Sequence, residues 1–307
     1  MRKPALVAIA AMTAVSLSAC TYASQETGSS TGTSAGATAQ AAASFDPSTV
    51  AVNDAAVALL PQDIKDRGTL RVAMETTYAP AEFLAADGQT PVGYDVEISE
   101  AIAAALGLDA QIESAAFDSI IPSIGSKYDA GISSFTITPE REQVADMTSY
   151  LSVGEAYAVQ AGNPQGVDAS DLCGTTVAVQ TGTVQQDEAN QMAADCKDAG
   201  GDALTVLNYD SQADAATNVV GGKADVLFAD SPIIGYAVTQ TGGQLEQLGD
   251  AFATASQGIV TAQGSATTQA IATALQGLMD DGTLKEILDG WGASDDMLTT
   301  AEVNPAS

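Results

Sequence analysis

The sequence predicts an α/β protein built as two related lobes, and three observations carry that prediction. From about Ile64 onward, short β-branched runs alternate with helical stretches, the pattern of strand–helix–strand units. The alternation comes in two successive blocks, neither closely repeating the other, which argues for two lobes and against a repeat array. The chain of 307 residues is long enough for two domains, and 46% hydrophobic against 16% charged residues supports buried cores.

In the first block, Thr69 to Ala73 reads as a strand. Tyr94 to Leu106 places Ile98, Ile102 and Leu106 on one helical face, and Gly107 stops it. Asp118 is a candidate N-cap for the next helix, with Pro122 in its first turn. In the second block, Thr176 to Val179 and Ala203 to Leu207 are strands around a helix from Val184 to Ala194. Ser211 to Val220 is again helical, and the strand Val226 to Ala229 runs into Asp230. Late in the chain, Ile271, Leu275, Leu278 and Met279 form an apolar helix face, and Leu284 to Leu288 forms a shorter helix.

Charge and composition exclude whole classes of function. Ten Lys and Arg stand against 39 Asp and Glu, a net charge of -29. Such a body repels phosphate backbones, so neither nucleic acid nor an anionic membrane surface is an expected partner. The chain contains no histidine, which removes Ser-His-Asp and Cys-His catalysis and imidazole metal sites. A P-loop Gly-x-x-x-x-Gly-Lys-Ser/Thr is also absent, so the chain does not itself hydrolyse ATP. No cofactor and no metal is expected.

The N-terminus reads as a leader. Arg2 and Lys3 precede an apolar run from Ala5 to about Val15, too short for the ~20 residues of a membrane span. Leu17-Ser18-Ala19-Cys20 resembles the lipobox of bacterial lipoproteins, which implies cleavage after residue 19 and diacylation of Cys20. The plainer alternative is an ordinary signal with a chance cysteine. Thr21 to Ser44 is rich in Ser, Thr, Gly, Ala and Gln and reads as a flexible tether within a lead-in spanning 20–63. With Cys20 lipidated, Cys173 and Cys196 remain as a pair in an oxidising compartment, and a structural disulfide is the expected use. A redox pair is the sharper alternative, although the spacing is unlike Cys-x-x-Cys.

Six segments carry the chemistry together: Glu75-Thr-Thr-Tyr78-Ala-Pro80, Ala116-Phe117-Asp118-Ser-Ile-Ile-Pro122, Tyr128-Asp-Ala-Gly131-Ile-Ser133-Ser134-Phe-Thr136-Ile-Thr-Pro-Glu-Arg141, Val179-Gln-Thr-Gly-Thr183, Ala224-Asp-Val-Leu-Phe-Ala-Asp230, and Asp281-Gly-Thr-Leu284 with Trp291-Gly292. In this order and spacing, from about Leu60 to Gly292, they resemble the family-3 extracellular solute-binding proteins of bacterial polar amino-acid ABC importers. The resemblance implies a type II periplasmic-binding-protein-like fold with two hinge crossovers and a central ligand cleft. It divides the chain into lobe 1 at 64–153 plus 256–292, lobe 2 at 156–253, and a tail at 293–307. Hinges are expected near Ser152–Glu155 and Ala253–Ser256.

A free amino acid offers a carboxylate, an ammonium and a side chain. A guanidinium grips a carboxylate best, through two parallel N–H donors. Arg141 matches the family's carboxylate-binding arginine, with a surface ion pair as the plainer role. By resemblance Asp230 binds the ammonium, aided by the Thr136 hydroxyl and the Ser134 carbonyl; its alternative is to cap the following helix. Thr183 matches the position meeting the carboxylate from the second lobe, at a helix N-terminus that favours anions. Ser133 and Val179 fall at further contact positions. Tyr78 and Phe117 match the aromatic walls around the ligand side chain, or are ordinary core. Glu75 stands where relatives usually carry Asp and favours a cationic or amide-bearing side chain; otherwise it is an exposed strand-end acid. Two positions depart from the family: Ala81 replaces the usual Phe, and Gln180-Thr181-Gly182-Thr183 permutes the commoner Gln-Gly-Ser/Thr-Thr order.

The resemblance implies a monomeric lipoprotein on the outer face of the membrane, whose lobes close on an amino acid and deliver it to a permease driven by a separate ATPase. An exported enzyme on the same fold, like the dehydratases of aromatic amino-acid precursors, is the rival from another class. In it Glu75 would act as a general acid. A ligand-sensing partner of a signalling receptor shares every motif.

Overall fold

The computed structural model describes residues 45–306; the leader, Cys20 and the tether to Ser44 lie outside the described residues. Asn53 caps α1 (Asp54–Leu59), its side-chain oxygen accepting from the N–H groups of Ala55 and Ala56. Helix α2 (Gln62–Arg67) ends where Gly68 turns left-handed. Ala56 and Leu60 are buried with Ile64, so residues read as lead-in contribute to the main core.

Strand β1 (Thr69–Met74) leads into a small antiparallel sheet of β2 (Thr77–Tyr78), β3 (Glu82–Leu84) and β4 (Pro91–Val92). Helix α3 (Tyr94–Ala105) buries Ile98 and Ile102, and the chain reverses at Gly107 with φ +68°. It returns through β5 (Asp109–Ser114), parallel to β1. Helix α4 (Phe117–Ser123) corrects two expectations: Ala116 is the N-cap, and Asp118 lies inside the first turn with Pro122 near the helix end. The helix begins two residues earlier than expected, with Phe117 at its start buried and stacked on Phe135 at 4.6 Å. Asp118 still meets the positive end of the helix dipole.

Next come β6 (Ala130–Gly131), the single turn α5 (Pro139–Glu142) and the long β7 (Ala145–Gln160). The second block runs β8 (Thr176–Gln180), α6 (Val184–Asp198), β9 (Thr205–Tyr209), α7 (Gln212–Val220), β10 (Val226–Asp230) and α8 (Ser231–Gln240). A second long strand, β11 (Leu245–Ala262), leads back to α9 (Ala266–Asp280) and α10 (Thr283–Trp291). Thr183 and Ser211 cap α6 and α7 through their hydroxyls.

One eight-stranded sheet joins the two blocks in the order β5-β1-β6-β11-β7-β10-β8-β9. Parallel pairs lie toward both ends, and the long antiparallel pair β7–β11 runs through the middle. The β7–β11 register shifts between Leu248 and Ala255 and again at Gln257/Gly258, and Ala253 adopts φ +49°. Such irregularities bend and re-aim strands. Beyond α10 the chain lies back along β7, with bridges from Met297 to Leu151 and from Val303 to Thr148.

Apolar burial follows the predicted helix faces. Ile271, Leu275 and Leu278 of α9 are buried with Ile98 and Ile102, each contributing about 1.5–3 kcal/mol. A second cluster lies beneath α6, where Cys173 and Cys196 form a disulfide with Cα atoms 5.6 Å apart. No helix among the described residues is long and apolar enough to cross a membrane.

Candidate functional site

The ends of β2, β8 and β10, the start of α4 and the loop after β6 converge on a narrow cavity. Open α/β sheets deliver ligand groups at such strand ends. Tyr78, Phe117, Ser133, Ser134, Thr136, Arg141, Thr183 and Asp230 all line the cavity. Gln180, Val184 and Gln185 line it too, none of which the sequence reading assigns.

Thr138 holds the base of the Arg141 turn, accepting from the Arg141 N–H at 3.2 Å. The guanidinium donates to the Thr136 carbonyl at 2.7 Å and to the Gly182 carbonyl at 3.1 Å. Its central carbon stands 5.7 Å from the ring centres of both Phe117 and Phe135. Among the described residues Arg141 belongs to no salt bridge, which excludes the surface ion pair. The other two arginines of the folded body, Arg67 and Arg71, both pair with Asp129. Desolvation pulls the Arg141 guanidinium below its ordinary pKa, and the nearby Asp230 and Asp187 carboxylates oppose that shift.

Asp230 ends β10 and occupies the backbone N-cap position of α8, yet its side chain makes no capping bond. The carboxylate instead accepts from Gln185 Nε2 at 2.9 Å and from Gln257 Nε2 at 2.8 Å. Its own N–H donates to Tyr78 Oη at 3.2 Å. Burial raises Asp230 to about 6, with hydrogen bonds from Tyr78, Gln185 and Gln257 and the Arg141 charge holding it lower than burial alone would. The same burial pushes the Tyr78 phenol well above its usual value, and the Asp230 charge adds to it.

Thr183 lies in the cavity wall, but its hydroxyl is committed: it donates to the Gln180 carbonyl and accepts from the Gln186 N–H. Glu75 is a buried residue, 7% exposed, rather than an open strand-end acid. It stands just outside the lining, accepting from Thr77 Oγ1 at 2.8 Å and Gln180 Nε2 at 2.9 Å. Desolvation raises its pKa, and those two hydrogen bonds work against it. Val179 does not line the cavity; its fully buried side chain belongs to the apolar cluster beneath α6, because alternate residues of β8 face opposite sides of the sheet.

Ala81 is fully buried, with the neighbouring Gly93 backbone close against it. Phe83, two residues on, sits 5.8 Å from Tyr236 and 6.0 Å from Trp291. Gln257 and Gln185 were missed because an isolated glutamine carries no motif. Gln257 reaches Asp230 only by the return of β11. Among the described residues, one grouping has metal-like spacing, Asp171 with Cys173 and Cys196, and both its sulfurs are committed to the disulfide.

A cation and a carboxylate thus flank one small cavity walled by two aromatic rings, an arrangement that complements a zwitterion. The family model for bacterial extracellular solute-binding proteins, family 3, matches residues 70–294. The arginine-binding protein ArgT of Corynebacterium glutamicum is 32% identical over 249 residues, 80% of this chain and 82% of that protein. Among solved structures, an ancestral arginine-binding protein bound to arginine superposes with a TM-score of 0.67 at 31% identity, covering 73% of this chain and 98% of that one. The ancestral amino acid-binding protein AncCDT-1, a precursor of cyclohexadienyl dehydratase, gives a TM-score of 0.67 at 26% identity, covering 75% and 97%. By the extent of the family match and by its two-lobed α/β architecture, the chain belongs to the bacterial extracellular solute-binding proteins of family 3.

Proposed function

We propose that the chain is the capture component of an amino-acid ABC importer and that its ligand is arginine or a close cationic relative. The single observation that carries this reading is a cation and a carboxylate lining one cavity. Arg141 sits over Phe117 and Phe135, and the buried Asp230 carboxylate lines the same cavity. In this reading Arg141 takes the ligand carboxylate. Asp230, Thr136 and the Ser134 carbonyl take the ammonium, with Ser133 beside them and Thr183 contributing from the N-terminus of α6. Tyr78 and Phe117 flank the side chain, and Glu75 receives its distal cation. The names of ArgT and of the arginine-bound ancestral protein support the cationic choice.

The lobes of the proposal are 64–153 plus 256–292 and 156–253, hinged where β7 and β11 cross between them. Ligand binds the closed arrangement better and draws the population to it. The closed form then docks on a permease served by its own ATPase. Residues 1–19 as a signal peptide and a diacylated Cys20 would hold a monomeric receptor at the outer face of the membrane, beside that permease.

A thermal-melt screen of the purified, ligand-free protein against the twenty amino acids, ornithine and citrulline tests the reading. Ligand at 100 times its dissociation constant adds about 2.7 kcal/mol, roughly 5–10 °C in a body of this size. A shift with arginine, lysine or ornithine supports it; a shift confined to acidic or aliphatic ligands removes the cationic assignment. The likeness to AncCDT-1 keeps a dehydratase as the second reading, and conversion of prephenate or arogenate would establish it.

A further inference from the structure

Beneath the Ser133–Ser134 segment of the cavity wall lie two carboxyl groups, Glu82 on β3 and Asp95 on α3, each with no exposed surface. They hold the two serines directly. Ser133 Oγ donates to Glu82 Oε1 at 2.6 Å and accepts from the Glu75 N–H at 3.0 Å. Asp95 Oδ2 accepts from the Ser134 N–H at 2.8 Å and from Ser134 Oγ at 3.1 Å. Its other oxygen accepts from Tyr150 Oη at 2.8 Å. Ser134 has φ +50°, a left-handed conformation that a non-glycine residue keeps only under external constraint. The Asp95 bonds are that constraint.

The remaining oxygen, Glu82 Oε2, is buried without a hydrogen-bond donor. The Glu82 and Asp95 side chains are hydrogen-bonding neighbours, and two carboxylates cannot bond unless one keeps a proton. The titratable groups facing the pair are Glu75 from the end of β1, Tyr94 from α3 and Tyr150 from β7. None of these is a cation, and among the described residues no lysine or arginine pairs with either carboxyl. Two buried negative charges with no counter-ion are far costlier than one charge and one neutral acid.

We propose that Glu82 is a neutral carboxylic acid whose Oε2–H donates to the Asp95 carboxylate, and that this pair positions Ser133 and Ser134 for ligand capture. The proton never leaves during binding; it lets a fully desolvated Glu82 hold Ser133 while Asp95 keeps enough acceptor strength to fix Ser134 and Tyr150. Desolvation raises both acids, but Glu82 goes well above the carboxylate range while Asp95, held down by its hydrogen bonds, reaches only about 6, so Glu82 is the one that keeps the proton. Both are positioning residues, acting on ligand only through the two serines. The affinity part of the inference rests on the proposed amino-acid site; the protonation part does not.

Glu82→Gln is the decisive variant, because an amide reproduces the neutral acid: its oxygen accepts from Ser133 and its NH₂ donates to Asp95. Glu82→Ala and Asp95→Asn are its companions. Titration calorimetry with arginine should give Glu82→Gln a dissociation constant within about threefold of the parent. Glu82→Ala and Asp95→Asn should be weakened about tenfold or more, roughly the 1.4 kcal/mol of one modest hydrogen bond. Equal loss in Glu82→Gln and Glu82→Ala would mean that the charge is needed and overturns the proposal, as would full affinity in Glu82→Ala. Carboxyl ¹³C NMR of glutamate-labelled full-length protein gives a ligand-independent reading. Glu82 should give a resonance at the protonated position at neutral pH, told apart from that of Glu155 by its loss in Glu82→Gln; if no protonated resonance of the parent is lost in Glu82→Gln, the shared proton is overturned. Failure of the parent to bind arginine, with that resonance present, would fall on the ligand assignment alone.

Discussion

Gln180 Nε2 donates to Glu75 Oε2 at 2.9 Å, tying the end of β8 to the end of β1 beside the cavity. Glu75 is thereby aimed by the partner block, where a cationic side chain would meet a carboxylate already oriented by Gln180 and Thr77. Glu75→Ala should therefore weaken arginine by about tenfold or more, since truncating a charge partner in a buried contact is costly, while glutamine loses little. Calorimetric titration of both ligands checks this, and an equal loss for the two would assign Glu75 to closure rather than to selectivity.

Arg141→Ala should nearly abolish binding of any amino acid. Removing one partner of a buried charged contact costs about 2–5 kcal/mol, most of the ~8 kcal/mol of a micromolar ligand. Arg141→Lys should recover little, because an ammonium cannot present two parallel donors. Parent-like affinity in either variant would move the carboxylate site elsewhere.

Gly182→Ala should impair closure. Gly182 has φ +83°, and a Cβ there would stand 2.8 Å from the Cβ of Asp118 on α4, in the opposite block. The methyl group meets another Cβ rather than a yielding side-chain end, so the approach of the two blocks must loosen. Ligand affinity should fall, and the melting temperature of the empty protein should drop only by the strain of an alanine at that positive φ. Small-angle scattering with saturating ligand should show a less compact body than the parent's.

Stability should decline as pH rises from about 4 to about 8. Burial raises Asp95 and Asp230 to about 6 and Glu155 to about 8. Each therefore binds its proton more tightly when folded than when unfolded. Their contribution is complete below the unfolded values and is lost as pH climbs through the folded ones. A net charge of -29 works in the same direction. Melting temperatures across that range test the sign; a steady rise with pH would contradict it.

Replacing Cys173 and Cys196 by serine should cost roughly 3 kcal/mol, the chain-entropy value for a loop of this size, with the sequence separation being 23. Melting should drop by about 6–10 °C. Parent-like melting would show that α6 and β8 are held by the apolar cluster alone.

The cavity was largely legible in the sequence because its members sit in short, dense segments. Ser133, Ser134, Thr136 and Arg141 share one loop, and Tyr78, Phe117, Thr183 and Asp230 each follow or open a regular element. Less legible were the long strands β7 and β11, whose 16 and 18 residues lack simple alternation, since burial changes along them as they cross from one block to the other. Strand β5 was likewise hidden, with two of its six residues half-buried hydrophobics and polar residues between.

What the amino-acid sequence determined by itself was local: helix faces from the spacing of apolar residues, a helix N-terminus at Thr183, and the kinds of groups available, few arginines among many acids. What only the tertiary structure decided was partnership. Asp230 could have capped α8, but Gln185 and Gln257 take its carboxylate. Glu75 could have faced water, but Gln180 covers it. Glu82 and Asp95, thirteen positions apart and silent as a motif, meet only because β3 and α3 fold over the same serines. Charge and hydrogen-bond capacity belong to residues, whereas desolvation and pairing are properties of the space that distant segments enclose together.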